Sequence, residues 1–297
     1  MSNERKENRL EKIVLPDRFV QWDEVITLND YAGKTRVGVL KPEKRKYPPV
    51  IMVHGFSSAS QIWGFLASEL KKHGFEIYAI DLPGHGNSDA PEDVIYDFSL
   101  FNHYLDLLYE EIGENKVAIA GHSMGGAIVM NYVYKRLEKI TGLILFSTAL
   151  KFWQRIPVFV SRLIPNDFLQ MSKERLLRLF YNLWRTQNEE QWMLDYIVEI
   201  SMATPPYVLK STYEEIILKW DGFDIAPKIR RPAIVGVGTM DIVTPPSLVR
   251  TVAQALPFGV FRHFTKSSHH VLIDKPMELS RYVLAFAPAI FNLYPDL

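Results

Sequence analysis

Eight short runs of apolar and β-branched residues recur along the chain, separated by longer segments with helical periodicity. The first two, at 20–28 and 35–40, are joined by the turn-rich hexamer NDYAGK and are typical of an antiparallel pair. The later runs are almost continuously apolar, as parallel strands buried on both faces are. They lie at 50–55, 76–81, 117–121, 142–147, 233–238 and 260–264. The alternation predicts an α/β fold, a mostly parallel eight-stranded sheet flanked by helices.

Composition excludes several classes of protein. None of the 297 residues is cysteine, so disulfides, thiolate metal sites and cysteine nucleophiles are excluded. Lys and Arg together number 34 and are balanced by 34 Asp and Glu, so the basic footprint of a nucleic-acid-binding protein is missing. No stretch approaches the ~20 apolar residues of a membrane span. Oligomeric state does not follow from the sequence.

The N-terminal segment MSNERKENRLEK is charged and lacks the apolar core of a signal peptide. We therefore expect residues 1–12 to be a loose tail and the protein to be cytoplasmic.

One interval, from 149 to 226, contains no convincing strand. Its segment SKERLLRLFYNLWRTQ has apolar residues at helical spacing, and further helical patterns follow. An insertion of this size between two core strands is typical of a helical cap over the edge of the sheet. The sequence thus predicts a core of 1–148 and 227–297 with a cap at 149–226.

The segment VAIAGHSMGGAIVM predicts a strand, a sharp turn and a helix, with Ser123 at the turn. Gly121 and Gly125 lie two residues to either side, which is the G-x-S-x-G spacing of a nucleophile elbow. Strand and helix backbones nearly touch at such a turn, so a Cβ there would clash. The alternative is a glycine-rich turn with an incidental serine.

A serine hydroxyl is a poor nucleophile until a neutral imidazole accepts its proton and a carboxylate orients that imidazole. Asp241 follows the seventh apolar run, and His269 and His270 follow the eighth. Both loops are expected at the carboxyl edge of the sheet, where parallel α/β sheets bind ligands. For Asp241 the alternative is a loop or helix-capping role.

An oxyanion formed during attack needs backbone N–H donors. The candidates are Met124, directly after the serine, and Phe56, in the loop after the third run. We interpret His54 as a structural loop histidine. The glycine-rich segment DLPGHGNSD lacks the lysine and the spacing of a phosphate-binding loop. The sequence predicts no cofactor and no metal site.

These motifs together resemble the α/β-hydrolase family. They are H-G at 54–55, D-x-x-G-x-G-x-S at 81–88, G-H-S-M-G-G at 121–126, G-x-x-D at 238–241 and a late histidine followed by Pro276. The resemblance implies a triad of Ser123, Asp241 and His269, with Phe56 and Met124 as oxyanion donors. It also implies a cap inserted after the sixth strand.

The position of the base departs from the family's pattern, which usually has glycine before the catalytic histidine. In relatives an acidic residue often follows that histidine by five positions and a proline by seven. His269 fits both, with Asp274 and Pro276, whereas His270 fits neither. His270 is followed by Val-Leu, as in monoglyceride-lipase relatives, and is the alternative.

The serine differs from the aspartate with which the haloalkane dehalogenase and epoxide hydrolase branches attack. With serine as the nucleophile, the resemblance implies hydrolysis of a small-molecule carboxylic ester, and the apolar inner face expected of the cap predicts acyl chains of short to medium length. Three other enzymes are open, namely a C–C bond hydrolase, a cofactor-free perhydrolase and a monoglyceride lipase. A catalytically silent ligand-binding protein on the same scaffold is the alternative from another class.

Overall fold

The computed structural model describes residues 20–152, Arg175, Arg178 and 191–291, apart from the side chains of 191–194 and 289–291. The expected loose tail at 1–12 and the helical segment SKERLLRLFYNLWRTQ therefore fall outside the described part, except for those two arginines.

One sheet contains all the strands described. They are β1 (Glu24–Asp30), β2 (Gly33–Leu40), β3 (Val50–Val53), β4 (Ile77–Ile80), β5 (Val117–His122), β6 (Ile140–Phe146), β7 (Pro232–Gly238) and β8 (Phe258–Phe264). Their order is β1-β2-β4-β3-β5-β6-β7-β8. β2 pairs antiparallel with β1 and with β4, and the other pairings are parallel. The predicted mostly parallel eight-stranded sheet is confirmed.

Helices connect the strands across both faces of the sheet. Within the described residues they are α1 (Gly64–Lys72), α2 (Phe98–Ile112), α3 (Met124–Tyr134), α4 (Gln191–Met202), α5 (Pro206–Thr212), α6 (Pro246–Ala255), α7 (Val271–Asp274) and α8 (Pro276–Phe291). None of them is long and apolar enough to cross a bilayer.

The residues of β3 show why the sheet is covered twice. Ile51 and Val53 belong to one hydrophobic cluster, with residues of α2 and α3, while Val50 and Met52 belong to another, with residues of α1 and α8. All four side chains are fully buried. Because successive side chains of a strand point to opposite faces, a continuously apolar strand needs helices on both sides.

The polypeptide between β6 and β7 includes α4, α5 and a π-helical turn at Tyr213–Ile217. The two ends of this segment are hydrogen-bonded to each other. Trp220 Nε1–H donates to the Ala149 carbonyl at 2.8 Å, and Gly222 N–H donates to the Leu150 carbonyl at 2.7 Å.

α4 and α5 lie against loops that follow β3 and β4. The Ser201 hydroxyl of α4 donates to the Ser57 carbonyl at 2.9 Å, and the Tyr96 N–H donates to Ser211 Oγ of α5 at 3.0 Å. These loops are at the carboxyl edge of the sheet. The division of the chain at 149 and 226 stays a prediction, because much of the interval falls outside the described residues.

Candidate active site

Ser123 occupies a strained turn between β5 and α3. Its backbone has φ 53° and ψ −122°, in the positive-φ region that residues with a Cβ seldom adopt. Its N–H donates to the Phe146 carbonyl of β6 at 2.9 Å, so the turn stays joined to the sheet. A Cβ on Gly125 would be 2.3 Å from the Val53 carbonyl oxygen, and one on Gly121 would be 2.6 Å from that of Gly125. The two glycines are needed because the backbones touch there.

Asp241 lies buried in the loop after β7. Its Oδ1 accepts the N–H groups of Val243 at 2.9 Å and Thr244 at 2.8 Å. Burial by itself raises the pKa of Asp241, but the charge and hydrogen bond of His269 and the donors of Thr244 outweigh it, so the pKa is lowered from its usual value. The carboxylate is therefore held in its charged form.

His269 meets this carboxylate from the loop after β8, residues 265–270, which we call the β8 loop. Its Nδ1 is 2.9 Å from Asp241 Oδ2. An ionised carboxylate can only accept, so Nδ1 carries the hydrogen of this bond. In the neutral ring Nε2 is then without a proton and can act as a base.

His122 joins the β8 loop to the turn that holds Ser123. Its Nε2–H donates to the His269 carbonyl at 2.9 Å, and the two rings have centroids 4.9 Å apart. Burial first, and then the charge of His269, lowers the pKa of His122 to about 3, so its ring is neutral. Sequence reasoning missed this role, since His122 stood out only as one letter of G-H-S-M-G-G.

Asp274 holds the other side of the β8 loop. Its Oδ2 accepts the Ser267 hydroxyl at 2.9 Å, the Ser268 N–H at 2.8 Å and the Ser268 hydroxyl at 3.0 Å. The acidic residue five positions after His269 thus has a structural reason. His270 is half-buried next to it, with its ring 6.2 Å from that of His122.

Phe56 lies in the loop after β3, residues 54–59, which we call the β3 loop. His54 Nε2 accepts the Leu82 N–H at 3.0 Å, so His54 Nδ1 carries the hydrogen that it donates to the Gly55 carbonyl at 2.8 Å. In a trans peptide the carbonyl and the next N–H point in opposite directions, so this bond also orients the Phe56 N–H. The structural interpretation of His54 agrees with these bonds, and burial lowers its pKa.

The β3 loop is packed against the elbow. A Cβ on Gly55 would be only 3.1 Å from Ser123 Cβ. Met124 is buried and begins α3, where the first N–H groups have no acceptor within the helix. The candidate oxyanion donors thus come from the two segments that adjoin Ser123.

The glycine-rich segment after β4 is a structural junction. Asp81 Oδ1 accepts the Ser60 N–H at 2.7 Å, and its Oδ2 accepts the Asn87 N–H at 2.9 Å. A Cβ on Gly86 would be 2.4 Å from Asp81 Cγ, which explains the glycine. Among the described residues no group of three or more His, Asp or Glu could hold a metal ion.

Thr244 is a second residue that sequence reasoning missed. Its Oγ1 is 2.8 Å from Asp241 Oδ2 and 2.9 Å from the Ser147 carbonyl, so its one proton can be donated to either oxygen. The only sequence signal is its place three residues after Asp241. It directly precedes Pro245 and Pro246, which indicate a helix start instead.

A mostly parallel sheet with helices on both faces, a strained serine between strand and helix, and a histidine–aspartate pair at the carboxyl edge define an α/β-hydrolase type of protein. The sequence model of the alpha/beta hydrolase fold family matches residues 48–276, and the chain belongs to this family. The resemblance stated from the motifs is confirmed.

Curated relatives include bifunctional epoxide hydrolase 2 of Mus musculus, 23% identical over 282 residues, and putative esterase/lipase 2 of Mycoplasma genitalium, 28% identical over 279 residues. The match to the first relative covers 80% of this chain and 51% of that protein. The match to the second covers 88% of this chain and 97% of that protein. It thus covers about half the length of the first relatives it matches.

Among solved structures, an esterase from Exiguobacterium antarcticum superposes with a TM-score of 0.79 at 18% identity, covering 89% of this chain and 99% of the esterase. This likeness concerns the fold. Esterases and other hydrolases recur among the relatives and structural neighbours, in agreement with the predicted enzyme class.

Proposed function

We propose that this protein is a serine hydrolase that cleaves carboxylic esters of short to medium acyl length through Ser123, His269 and Asp241. The observation that carries the proposal is the 2.9 Å bond between His269 Nδ1 and Asp241 Oδ2, in a loop joined to the residue before Ser123. The mouse relative is named a bifunctional epoxide hydrolase, whereas this chain has a serine at position 123 and not the aspartate that the sequence analysis associates with the epoxide hydrolase branch.

In the first half-reaction Ser123 Oγ attacks the ester carbonyl while His269 Nε2 takes the hydroxyl proton. Negative charge then develops on the carbonyl oxygen, and the N–H groups of Phe56 and Met124 stabilise it. When the tetrahedral intermediate collapses, His269 returns the proton to the leaving alcohol, and an acyl-enzyme remains. Asp241 stays ionised and holds the imidazole in the tautomer that can accept.

In the second half-reaction a water molecule attacks the acyl-enzyme. His269 takes a proton from that water, the same N–H groups stabilise the new oxyanion, and the acid is released as Ser123 regains its proton. The protein supplies nucleophile, base and donors from its own residues, so the proposal includes no cofactor and no metal.

Covalent labelling tests the nucleophile. The purified protein should take up one fluorophosphonate per chain, and Ser123→Ala should abolish both labelling and ester turnover. Ser280→Ala, a buried serine on α8 whose hydroxyl donates to the Met277 carbonyl, is the matched control and should label fully. Labelling of Ser123→Ala at the wild-type level would reject the assignment. A silent ligand-binding protein would turn over no ester.

Acyl-chain preference tests the substrate class. The expected cap encloses the site. Each methylene of the acyl chain that is buried there should add about 0.8 kcal/mol of binding free energy, which is about fourfold in kcat/KM. We expect kcat/KM for p-nitrophenyl esters to rise from acetate to roughly hexanoate and then to fall once the pocket is full. A maximum at C12 or beyond would favour a lipase. Cleavage of a dienone acid without ester turnover would favour a C–C bond hydrolase. Turnover that occurs only with hydrogen peroxide would favour a perhydrolase.

The cytoplasmic location expected from the charged N-terminus stays a prediction. Fractionation of the native cells checks it, and protein recovered with the secreted fraction would contradict it.

A further inference from the structure

Ser57, directly after Phe56, has an unusual backbone for a residue with a side chain. Its φ is 54°, and it is buried. A positive φ costs about 1–3 kcal/mol at a non-glycine residue and persists only where surrounding contacts maintain it. The contacts at Ser57 therefore decide whether the β3 loop keeps its shape.

Those contacts come from α4, 144 residues further along the chain. The Ser201 hydroxyl donates to the Ser57 carbonyl at 2.9 Å, and the Ser57 hydroxyl donates to the Ser201 carbonyl at 3.4 Å. Ser201 is 1% exposed, so water does not replace its hydroxyl as the donor. The two serines thus bind each other's backbones inside the protein.

Two further contacts join the same two regions. The Tyr196 hydroxyl of α4 donates to the Oε1 of Gln61, two residues after the β3 loop. Tyr213 of the π-helical turn packs its ring edge-on to Phe56, with centroids 6.4 Å apart. π-Helical turns are rare and often occur at functional sites. The segment between β6 and β7 therefore contacts the chain before and after Ser57, at Phe56 and at Gln61.

We propose that Ser201 is a positioning residue, which acts through Ser57 to hold the Phe56 N–H where it can bind the oxyanion. This inference rests on the proposed function. His54 orients the Gly55–Phe56 peptide from the core, and Ser201 keeps the next residue in its strained conformation from the opposite side. Without the Ser201 hydroxyl the buried Ser57 carbonyl loses its donor, and the β3 loop relaxes toward negative φ. The segment between β6 and β7 thereby also completes the proposed oxyanion hole.

The test compares Ser201→Ala with Thr212→Val. Thr212 is a buried residue of α5 whose hydroxyl has no hydrogen-bond partner among the described residues, so its loss is a matched control. Because the oxyanion contact forms in the transition state, Ser201→Ala should lower kcat about tenfold and leave KM within about twofold. Thr212→Val should keep both constants. Ser201→Thr, which retains the hydroxyl, should keep most of the wild-type kcat.

A second readout needs no turnover. Amide hydrogen exchange over residues 54–61 should be faster in Ser201→Ala than in the wild type, and unchanged in Thr212→Val. An unchanged kcat, or a lower kcat without faster exchange in the β3 loop, would overturn the proposal. If Ser201→Ala does not fold, Ser201→Cys replaces it, because a thiol is of similar size and a weak donor. A wild type that hydrolyses no ester rejects the proposed function, while the exchange comparison still decides whether Ser201 holds the loop.

Discussion

His269 and His270 are adjacent in the chain but differ in what surrounds their rings. His269 bonds to the buried carboxylate of Asp241. The pKa of His270 is lowered well below its usual value, first by burial and then by the neighbouring His269. A ring that stays neutral in this way is a poor partner for a proton that must be taken up and returned.

Alanine substitutions distinguish the two histidines. His269→Ala should lower kcat by about 10⁴-fold or more, because it removes the base and the partner of Asp241 together. His270→Ala should cause a much smaller loss. Steady-state kinetics on one p-nitrophenyl ester, at equal concentrations of folded protein, checks both variants. The opposite ranking would transfer the role of the base to His270.

The junction of β5 and α3 shows how one local element depends on close backbone contact. Glycine is a poor helix residue, about 1 kcal/mol worse than alanine, yet Gly125 lies in the first turn of α3. A methyl group there would be 2.4 Å from the His54 carbonyl oxygen as well as 2.3 Å from that of Val53. The contact between helix and β3 therefore outweighs helix propensity.

Gly125→Ala should reduce the free energy of unfolding by more than about 3 kcal/mol, since backbone atoms cannot move aside as side chains can. Gly113→Ala is the control, because Gly113 ends α2 with φ 68° and a methyl group added there would meet open space, with no contact within 4 Å. It should cost only the left-handed backbone penalty, about 1–2 kcal/mol. Urea unfolding measures both. A stabilised Gly125→Ala would mean that propensity prevails.

Histidines that are buried or half-buried and neutral make the stability of the whole protein depend on pH. The pKa values of His54, His122 and His270 are all lowered, with burial as the largest cause. The unfolded chain therefore binds more protons than the folded one once the pH falls below the ordinary histidine pKa of about 6.5. Stability is full above that pH and is lost on acidification.

Acidification from pH 7 to 5 should thus destabilise the protein. His122, with a folded pKa of about 3, contributes about 2 kcal/mol of this loss. In His122→Gln, urea unfolding should show a free energy of unfolding that falls less steeply between pH 6 and 5, because unfolding then takes up about one proton less. Between pH 7 and 8 the two curves should be parallel. A wild-type stability that stays constant from pH 7 to 5 would contradict the linkage.

The sheet, the elbow and the loops that carry Asp241 and His269 could all be predicted from the amino-acid sequence. Each depends on local chemistry, namely apolar runs separated by helical segments, glycines where backbones touch, and an aspartate and a histidine in the loops that follow strands. Three contacts could be seen only in the folded protein: His122 binds the His269 carbonyl, 147 residues away, Thr244 contacts Asp241, and Ser201 binds Ser57. These residues are an ordinary serine, threonine and histidine, and no sequence motif indicates their hydrogen bonds. Their partners come near only after the chain has packed, so burial and direction, rather than residue type, give each hydrogen bond its role.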